Sequence, residues 1–248
     1  MGQHGKHRNL VKAGGIYAAA VSALAATGAA AECRLALLLA IDVSSSVDPS
    51  EDALQRGGLA AALVAPEVMA TFFATDAPVA LAAFEWSGRY NQSLLLDWTM
   101  INAPEDLTDA ALAISSTQRS QDDYPTAMGY ALGYGATLLE QAPVCDAQVI
   151  DIAGDGISND GFAPALAYAY FPFQGVTVNG LVVLDGRDDA ALLAFYQREV
   201  IRGRLAFVET ARGFADYENA MQRKLLRELS VRVIGARPVQ APGTGPAG

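Results

Sequence analysis

Histidine is nearly absent from this chain, and its distribution excludes several kinds of chemistry. The two histidines, His4 and His7, both lie within the first 31 of the 248 residues. Catalytic triads, Cys-His nucleophile pairs and the zinc or non-haem iron sites built on imidazole all need a histidine. The residues after position 31 therefore predict none of these sites, and a metal held there would need oxygen ligands.

Basic residues are also scarce. The chain has 17 Lys and Arg against 27 Asp and Glu, a formal charge of −10. The sequence also contains no P-loop motif. Without the first 31 residues, 14 basic and 27 acidic residues remain, which gives −13. Nucleic acids and anionic membrane surfaces are bound through cationic patches, so the composition predicts neither kind of partner.

Long apolar runs are missing everywhere except near the amino terminus. That segment has a basic start, a stretch rich in Ala, Val and Leu, and Ala29-Ala30-Ala31 before Glu32. This layout predicts a signal peptide at 1–31 and an exported protein, periplasmic or secreted, with no later membrane span. The alternative is an uncleaved anchor, for which the alanine-rich segment interrupted by Gly28 is poorly suited.

Strand-like and helix-like segments alternate along the rest of the chain. The pattern predicts an α/β fold with a doubly wound, mostly parallel six-stranded sheet flanked by helices, in one domain spanning 32–235. The Pro/Gly/Ala-rich residues 236–248 predict a disordered tail. The predicted strands are 35–41, 79–84, 93–98, 147–153, 176–184 and 206–209, and the predicted helices are 49–74, 104–115, 126–141, 163–170, 189–199 and 215–229.

The first predicted strand ends in a group of oxygen-bearing side chains. Leu35–Ile41 is a continuous apolar run, and Asp42, Ser44 and Ser46 follow it at alternate positions. Asp48 then begins a helix as a predicted N-cap. Loops at this edge of an open α/β sheet line the ligand crevice, and clustered oxygens there favour a hard cation such as Mg²⁺. Alone, the serines could equally be turn and helix caps.

Two further segments place oxygen-bearing side chains next to a predicted strand or helix. The predicted strand 147–153 is followed by Asp155, which stands between two glycines, and then by Ser158, Asn159 and Asp160. Thr126 stands at the predicted start of a helix, about 80 residues after Ser46. Taken singly, the threonine is typical of a helix cap and the aspartate of a turn.

Together, the Asp-x-Ser-x-Ser, the helix-start threonine and the Asp-Gly resemble the von Willebrand factor type A (vWA) domain, over Arg34 to about Leu229. Within that family the chain is similar to a group of exported bacterial proteins with a domain of unknown function. The segments that carry this second likeness are Phe84–Gly88, Ala153–Gly156, Asn159–Gly161 and Val178–Leu181.

The resemblance implies a metal-ion-dependent adhesion site (MIDAS), in which a bound cation captures a carboxylate of a protein partner. Its ligands would be Asp42, Ser44, Ser46, Thr126 and Asp155, and its cation Mg²⁺, or else Mn²⁺ or Ca²⁺. The expected function is therefore an exported, cation-dependent, adhesion-type module that binds an Asp or Glu of a protein. One departure is Tyr124-Pro125, where similar sequences have glycines before the threonine.

The cysteines test the implied topology without using the metal motif. Cys33 lies nine residues before Asp42 and Cys145 ten before Asp155. In the strand order 3-2-1-4-5-6 that the resemblance implies, these cysteines start neighbouring parallel strands, and we expect a disulfide in an exported protein. Two reduced buried thiols are the alternative.

Two other functions stay open at this point. A Mg²⁺-dependent hydrolase or phosphatase could use Asp155 or Asp160 as base, although no phosphate-binding loop accompanies them. A metal-free structural scaffold of the same fold is the third reading. We expect this protein to have no enzymatic activity. The basic cluster Arg198, Arg202 and Arg204 favours a solvated face over a docking site.

Overall fold

The computed structural model describes residues 1–2, 32–121, 123–186 and 188–234. The predicted signal peptide, from residue 3 onwards, and the predicted tail at 236–248 lie outside the described residues. Within them, no helix is long and apolar enough to cross a membrane.

Six strands form one sheet with the spatial order β3-β2-β1-β4-β5-β6. All neighbouring pairs are parallel except β2 and β3, which are antiparallel. The predicted α/β fold and strand order are therefore confirmed. The strands are β1 (Leu35–Asp42), β2 (Val79–Trp86), β3 (Gln92–Ile101), β4 (Gln148–Gly154), β5 (Val176–Leu184) and β6 (Val208–Arg212).

Helices pack on both faces of this sheet. The predicted helix over 49–74 is two helices, because Pro66 has no N–H for the ladder and begins a new helix after Ala65. The predicted helix at 189–199 ends at Phe195 and continues as a π-helical turn, Tyr196–Val200. The α-helices are α1 (Pro49–Val64), α2 (Pro66–Phe72), α3 (Pro104–Ser115), α4 (Met128–Leu139), α5 (Pro164–Tyr170), α6 (Asp189–Phe195) and α7 (Tyr217–Ile234).

The central strand β1 is buried along its whole length. Leu35, Leu37 and Leu39 face one apolar cluster with α1, α3 and α7, while Ala36 and Leu38 face a second cluster with α4. A strand covered on both faces must be apolar at every position, which explains its unbroken apolar sequence. Its carboxyl end is therefore held rigidly where the polar loop begins.

A disulfide joins Cys33 to Cys145, whose Cα atoms are 4.5 Å apart. The two residues also form a parallel bridge just before β1 and β4. The pairing is as predicted, and it follows from the adjacency of these two strands. It fastens the amino edge of the sheet, opposite the edge where Asp42 and Asp155 lie.

Candidate metal centre

The loop after β1 is anchored at its far end by a capped helix. The Asp48 carboxylate accepts hydrogen bonds from the backbone N–H groups of Ser50 and Glu51, at 2.7 and 2.9 Å. The Glu51 carboxylate accepts one from the Asp48 N–H at 2.9 Å, which completes the predicted capping box. The bond from the Glu51 N–H lowers the pKa of Asp48. The short loop between Asp42 and this cap thus has both ends fixed.

The structure brings the five predicted site residues together at the carboxyl ends of β1 and β4. Ser44 Oγ lies 3.1 Å from Ser46 Oγ, and Thr126 Oγ1 donates to Ser44 Oγ at 3.1 Å. Ser46 Oγ donates to Asp155 Oδ1 at 2.7 Å. Asp42 joins through the backbone, since its Oδ1 accepts from the Ser44 N–H at 2.8 Å. Three hydroxyls and two carboxylates therefore share one small site.

Asp42 is the most unusual member of this group. Its side chain is fully buried, and no donor among the described residues reaches Oδ2. Burial, with the nearby charge of Asp155 as the second cause, raises the pKa of Asp42 to about 8. Burial also raises the pKa of Asp155. A buried carboxylate oxygen without a donor or a cation is costly, so this position favours an added positive charge.

The wall beside Asp42 leaves room only for glycine. A Cβ at Gly154 would lie 2.9 Å from Asp42 Oδ2 and 2.7 Å from the hydroxyl of Tyr196. That hydroxyl is also buried without a hydrogen-bond partner in the described part of the chain. The glycine before Asp155 is therefore needed for close packing, and any larger residue would push into the site.

Thr126 is held by the loop that follows β4. Its N–H donates to Asn159 Oδ1 at 2.9 Å, and its carbonyl accepts from the Asn159 N–H at 3.0 Å. Ser158 Oγ donates to the same carbonyl at 3.2 Å. The second acidic loop predicted from sequence thus contributes two residues that position the threonine. Its remaining acid, Asp160, is instead paired with Arg89 at 2.7 Å, and that hydrogen bond lowers the pKa of Asp160.

The Tyr124-Pro125 departure lies against the first loop. The Tyr124 carbonyl accepts from the Ser45 N–H at 2.8 Å. Thr126, two residues later, is only 4% exposed and contacts Ser44 as described above. In this structure the stiffer residues therefore leave the threonine hydroxyl within reach of the serines.

Arg119 is a residue of this site that the sequence analysis missed. One of its terminal nitrogens, Nη2, donates to the carbonyls of Val43 and Ser44, at 2.7 and 2.8 Å. The other, Nη1, donates to the carbonyl of Val47 at 2.6 Å. The planar guanidinium is shaped for such multiple bonds, so Arg119 holds the loop backbone in its curve. A lone arginine in an unpredicted segment carries no sequence signal that would have revealed this role.

The donor set fits a hard divalent cation. The described ranges contain no group of three or more His, Cys, Asp or Glu side chains able to hold a metal, so carboxylates alone could not form the site. Hydroxyl and carboxylate oxygens together match Mg²⁺, Mn²⁺ or Ca²⁺ chemistry. The donorless Oδ2 of Asp42 agrees with this assignment, because a cation would compensate it.

Comparison with known proteins assigns the sequence to a family. The family described as "Protein of unknown function (DUF1194)" matches residues 32–233. The chain belongs to this family. No curated protein matches the sequence of this DUF1194 member.

Solved structures similar to the DUF1194 chain have the vWA-like fold. Proximal thread matrix protein 1 from the mussel byssus, with a zinc-occupied MIDAS motif, is 17% identical with a TM-score of 0.56, over 81% of this chain and 48% of that one. The von Willebrand factor type A structure from Catenulispora acidiphila is 18% identical with a TM-score of 0.50, over 79% and 43%. The pilus adhesin SpaC from Lactobacillus rhamnosus GG, in its open conformation, is 11% identical with a TM-score of 0.56, over 82% and 30%. The chain spans about half the length of the byssal protein.

Proposed function

We propose that this DUF1194 protein is an exported protein-binding module of adhesion type whose binding depends on a divalent cation. The ligands would be Asp42, Ser44, Ser46, Thr126 and Asp155. The proposal includes cleavage of residues 1–31 as a signal peptide and no enzymatic activity. The single observation that carries it is the convergence of these five oxygen-bearing side chains around a buried Asp42 whose Oδ2 has no donor.

Each residue would have a separate task. Asp42 and Asp155 supply the negative charge, while the hydroxyls of Ser44, Ser46 and Thr126 supply neutral oxygens. Because three of the five ligands are neutral, a bound Mg²⁺ would keep enough charge to attract a further carboxylate from outside. Arg119, Ser158 and Asn159 would hold the loops in place, because they bond to the backbone of the proposed ligands and not to their side-chain oxygens.

A protein Asp or Glu is the partner chemistry that this site fits. The acidic surface argues against nucleic acid and anionic lipid. The vWA-like neighbours include a pilus adhesin and a byssal matrix protein, which supports a role outside the cytoplasm, periplasmic or secreted.

Calorimetric titration of Mg²⁺ and Mn²⁺ into the exported chain tests the site. We expect one site per chain, lost in Asp42→Ala and Ser44→Ala. Asp160→Ala is the matched control, because this acid lies in the adjoining loop but is paired with Arg89. The control should bind the cation as the wild type does.

Partner chemistry is tested separately with immobilised peptides that contain Asp or Glu, each beside its Asn or Gln counterpart. Capture should require both the cation and the carboxylate. No cation binding by the folded wild type would favour the metal-free scaffold. Cation-dependent phosphatase activity that is lost in Asp155→Asn would favour the hydrolase instead.

A further inference from the structure

A groove lies at the end of the sheet opposite the candidate metal centre. The groove, of about 1010 Å³, opens beside the amino ends of β4 and β5, between the segment 202–207 and α7. It is far from Asp42 and Asp155, which lie at the carboxyl ends of their strands. Its chemistry is therefore independent of the proposed metal centre.

Three arginines line this groove in a strongly acidic protein. Arg202, Arg204 and Arg227 are all exposed, and none has an ion-pair partner within the ranges that the structure describes. Arg227 lies over the ring of Phe207 at 3.8 Å, and Arg202 over the ring of Tyr168 at 4.7 Å. Stacking holds a guanidinium plane while its N–H groups stay free to donate, as in sites that bind anions.

The rest of the groove combines apolar walls with a polar floor. Phe173, Val176 and Phe207 contribute apolar surface. Glu228, 4% exposed, lies at the floor, where its Oε1 accepts from Asn179 Nδ2 at 2.6 Å. Lys224 Nζ donates to the same Oε1 at 2.7 Å, so the carboxylate at the floor has a basic partner. An anionic ligand with an apolar body would therefore meet the arginines with its charged group and the apolar walls with its body.

The segment that carries two of the arginines has an unusual backbone. Leu205 has a φ of 64°, although it is neither glycine nor asparagine, and its side chain is 62% exposed at the groove. Gly203 has a φ of 96°, and a Cβ there would lie 3.0 Å from the Thr177 Cα. Strained positions persist where the surrounding structure imposes them, and they are enriched at binding sites.

We propose that this groove, which we call the arginine groove, is a binding site for a small organic anion with an apolar body. The class comprises aromatic or aliphatic carboxylates, sulfonates and phosphoesters. Sequence analysis grouped Arg198 with Arg202 and Arg204 and favoured a solvated face. The structure separates them, because Arg198 does not line the groove and Arg227 from α7 takes its place.

The test uses 8-anilinonaphthalene-1-sulfonate as the probe and its neutral analogue, N-phenyl-1-naphthylamine, as the comparison. Fluorescence and calorimetric titration of the exported chain should give one saturable sulfonate site. Arg202→Gln and Arg227→Gln should each weaken it about tenfold, since each removes a charged hydrogen-bond donor. Arg198→Gln is the matched control and should leave the affinity unchanged.

Three results would overturn the proposal, provided that near-ultraviolet circular dichroism shows each variant to be folded. They are non-saturable binding, equal affinity for the neutral analogue, and unchanged affinity in the Arg202 and Arg227 variants. Chelation of divalent cations should not alter the titration. Failure of the arginine groove is therefore distinguishable from failure of the metal centre.

Discussion

Two aspartates on neighbouring strands, Asp42 of β1 and Asp151 of β4, are both buried but are compensated differently. Asp151 lies within the core, 2.7 Å from Lys224 Nζ, which also donates to Glu228 at 2.7 Å. Asp42 lies at the end of its strand, and no basic group among the described residues is in contact with it. The fold itself compensates the charge of Asp151, whereas under the proposed function a bound cation would compensate that of Asp42.

The charges that act on the two carboxyls differ, although burial raises the pKa of both. Burial raises the pKa of Asp42 to about 8 and that of Asp151 to about 7. The charge of Glu228 also raises the latter pKa, and the charge of Lys224 lowers it. Near Asp42 the opposing basic group is Arg119, whose effect is the smallest of those acting on the carboxyl. Its donors are directed to backbone carbonyls instead.

Removing the positive charge of Lys224, which compensates Asp151 and Glu228, should have the largest effect on stability. Lys224→Met leaves Asp151 and Glu228 buried without their positive partner, so we expect a loss of about 3–5 kcal/mol in the free energy of unfolding. Urea denaturation measures it. Arg223→Met is the control, because Arg223 is exposed and its pair with Glu209 should contribute less than about 1 kcal/mol. Equal losses in both variants would contradict the assigned role of Lys224.

The uncompensated site should respond to added cation. Ligand at about 100 times its dissociation constant stabilises a folded state by ~2.7 kcal/mol. We expect this gain from Mg²⁺ in the wild type and in Asp151→Asn, and none in Asp42→Asn. Thermal unfolding with and without the cation measures it. A gain that survives in Asp42→Asn would show that the cation binds elsewhere.

Loosening the loop around Asp42 should have a smaller effect. Arg119→Lys replaces a planar group that donates from three separate nitrogens with one flexible ammonium nitrogen, so we expect a loss of ~2 kcal/mol in stability. Cation affinity should also fall, by about 10–100-fold, as for other groups that position ligands. Arg89→Lys is the control and should change neither quantity appreciably. Calorimetry and urea denaturation give both, and an unchanged affinity would limit Arg119 to a structural role.

The last expected effect is a pH dependence of stability that comes from Asp151, and it is small within any one pH unit. Its folded pKa is raised from 3.8 to about 7, so between these values the folded state holds a proton that the unfolded state has lost. Stability from this group is therefore greatest at low pH and decreases as the pH rises towards 7, by at most ~1.4 kcal/mol per pH unit. Asp151→Asn should flatten the decrease. Urea denaturation at pH 5, 6 and 7 measures it, and identical slopes in both proteins would contradict it.

Most of the fold could be predicted because its signals are local. Leu35–Ile41 is apolar at every position, as a strand buried on both faces must be, and Asp48 with Glu51 forms the capping box at α1. Boundaries were less accurate where one residue altered a regular pattern. Pro66 divided the predicted helix 49–74 into two helices. The helix predicted over 189–199 ended at Phe195, and a π-helical turn, Tyr196–Val200, followed it.

The candidate site could be predicted only in part. Asp42, Ser44 and Ser46 share a short motif, whereas Thr126 and Asp155 were assigned through resemblance. Their role as ligands stays a prediction. Lys224 could have been found, because it recurs at helical spacing with Ala220 and Glu228 on the face of α7 that packs inward. Arg202 and Arg227 are far apart in sequence, and no pattern joins them.

Local sequence was enough to specify the strands, the capped loop and the oxygen-bearing residues of one motif, since these depend on neighbours along the chain. Which charges are paired depended instead on the packing of distant segments. This packing placed Lys224 beside Asp151, gave Asp42 no basic partner among the described residues, and gathered the arginines of the groove. The physical reason is that the energy of a buried charge depends on groups brought near by strand order and helix packing, at separations that no local pattern records.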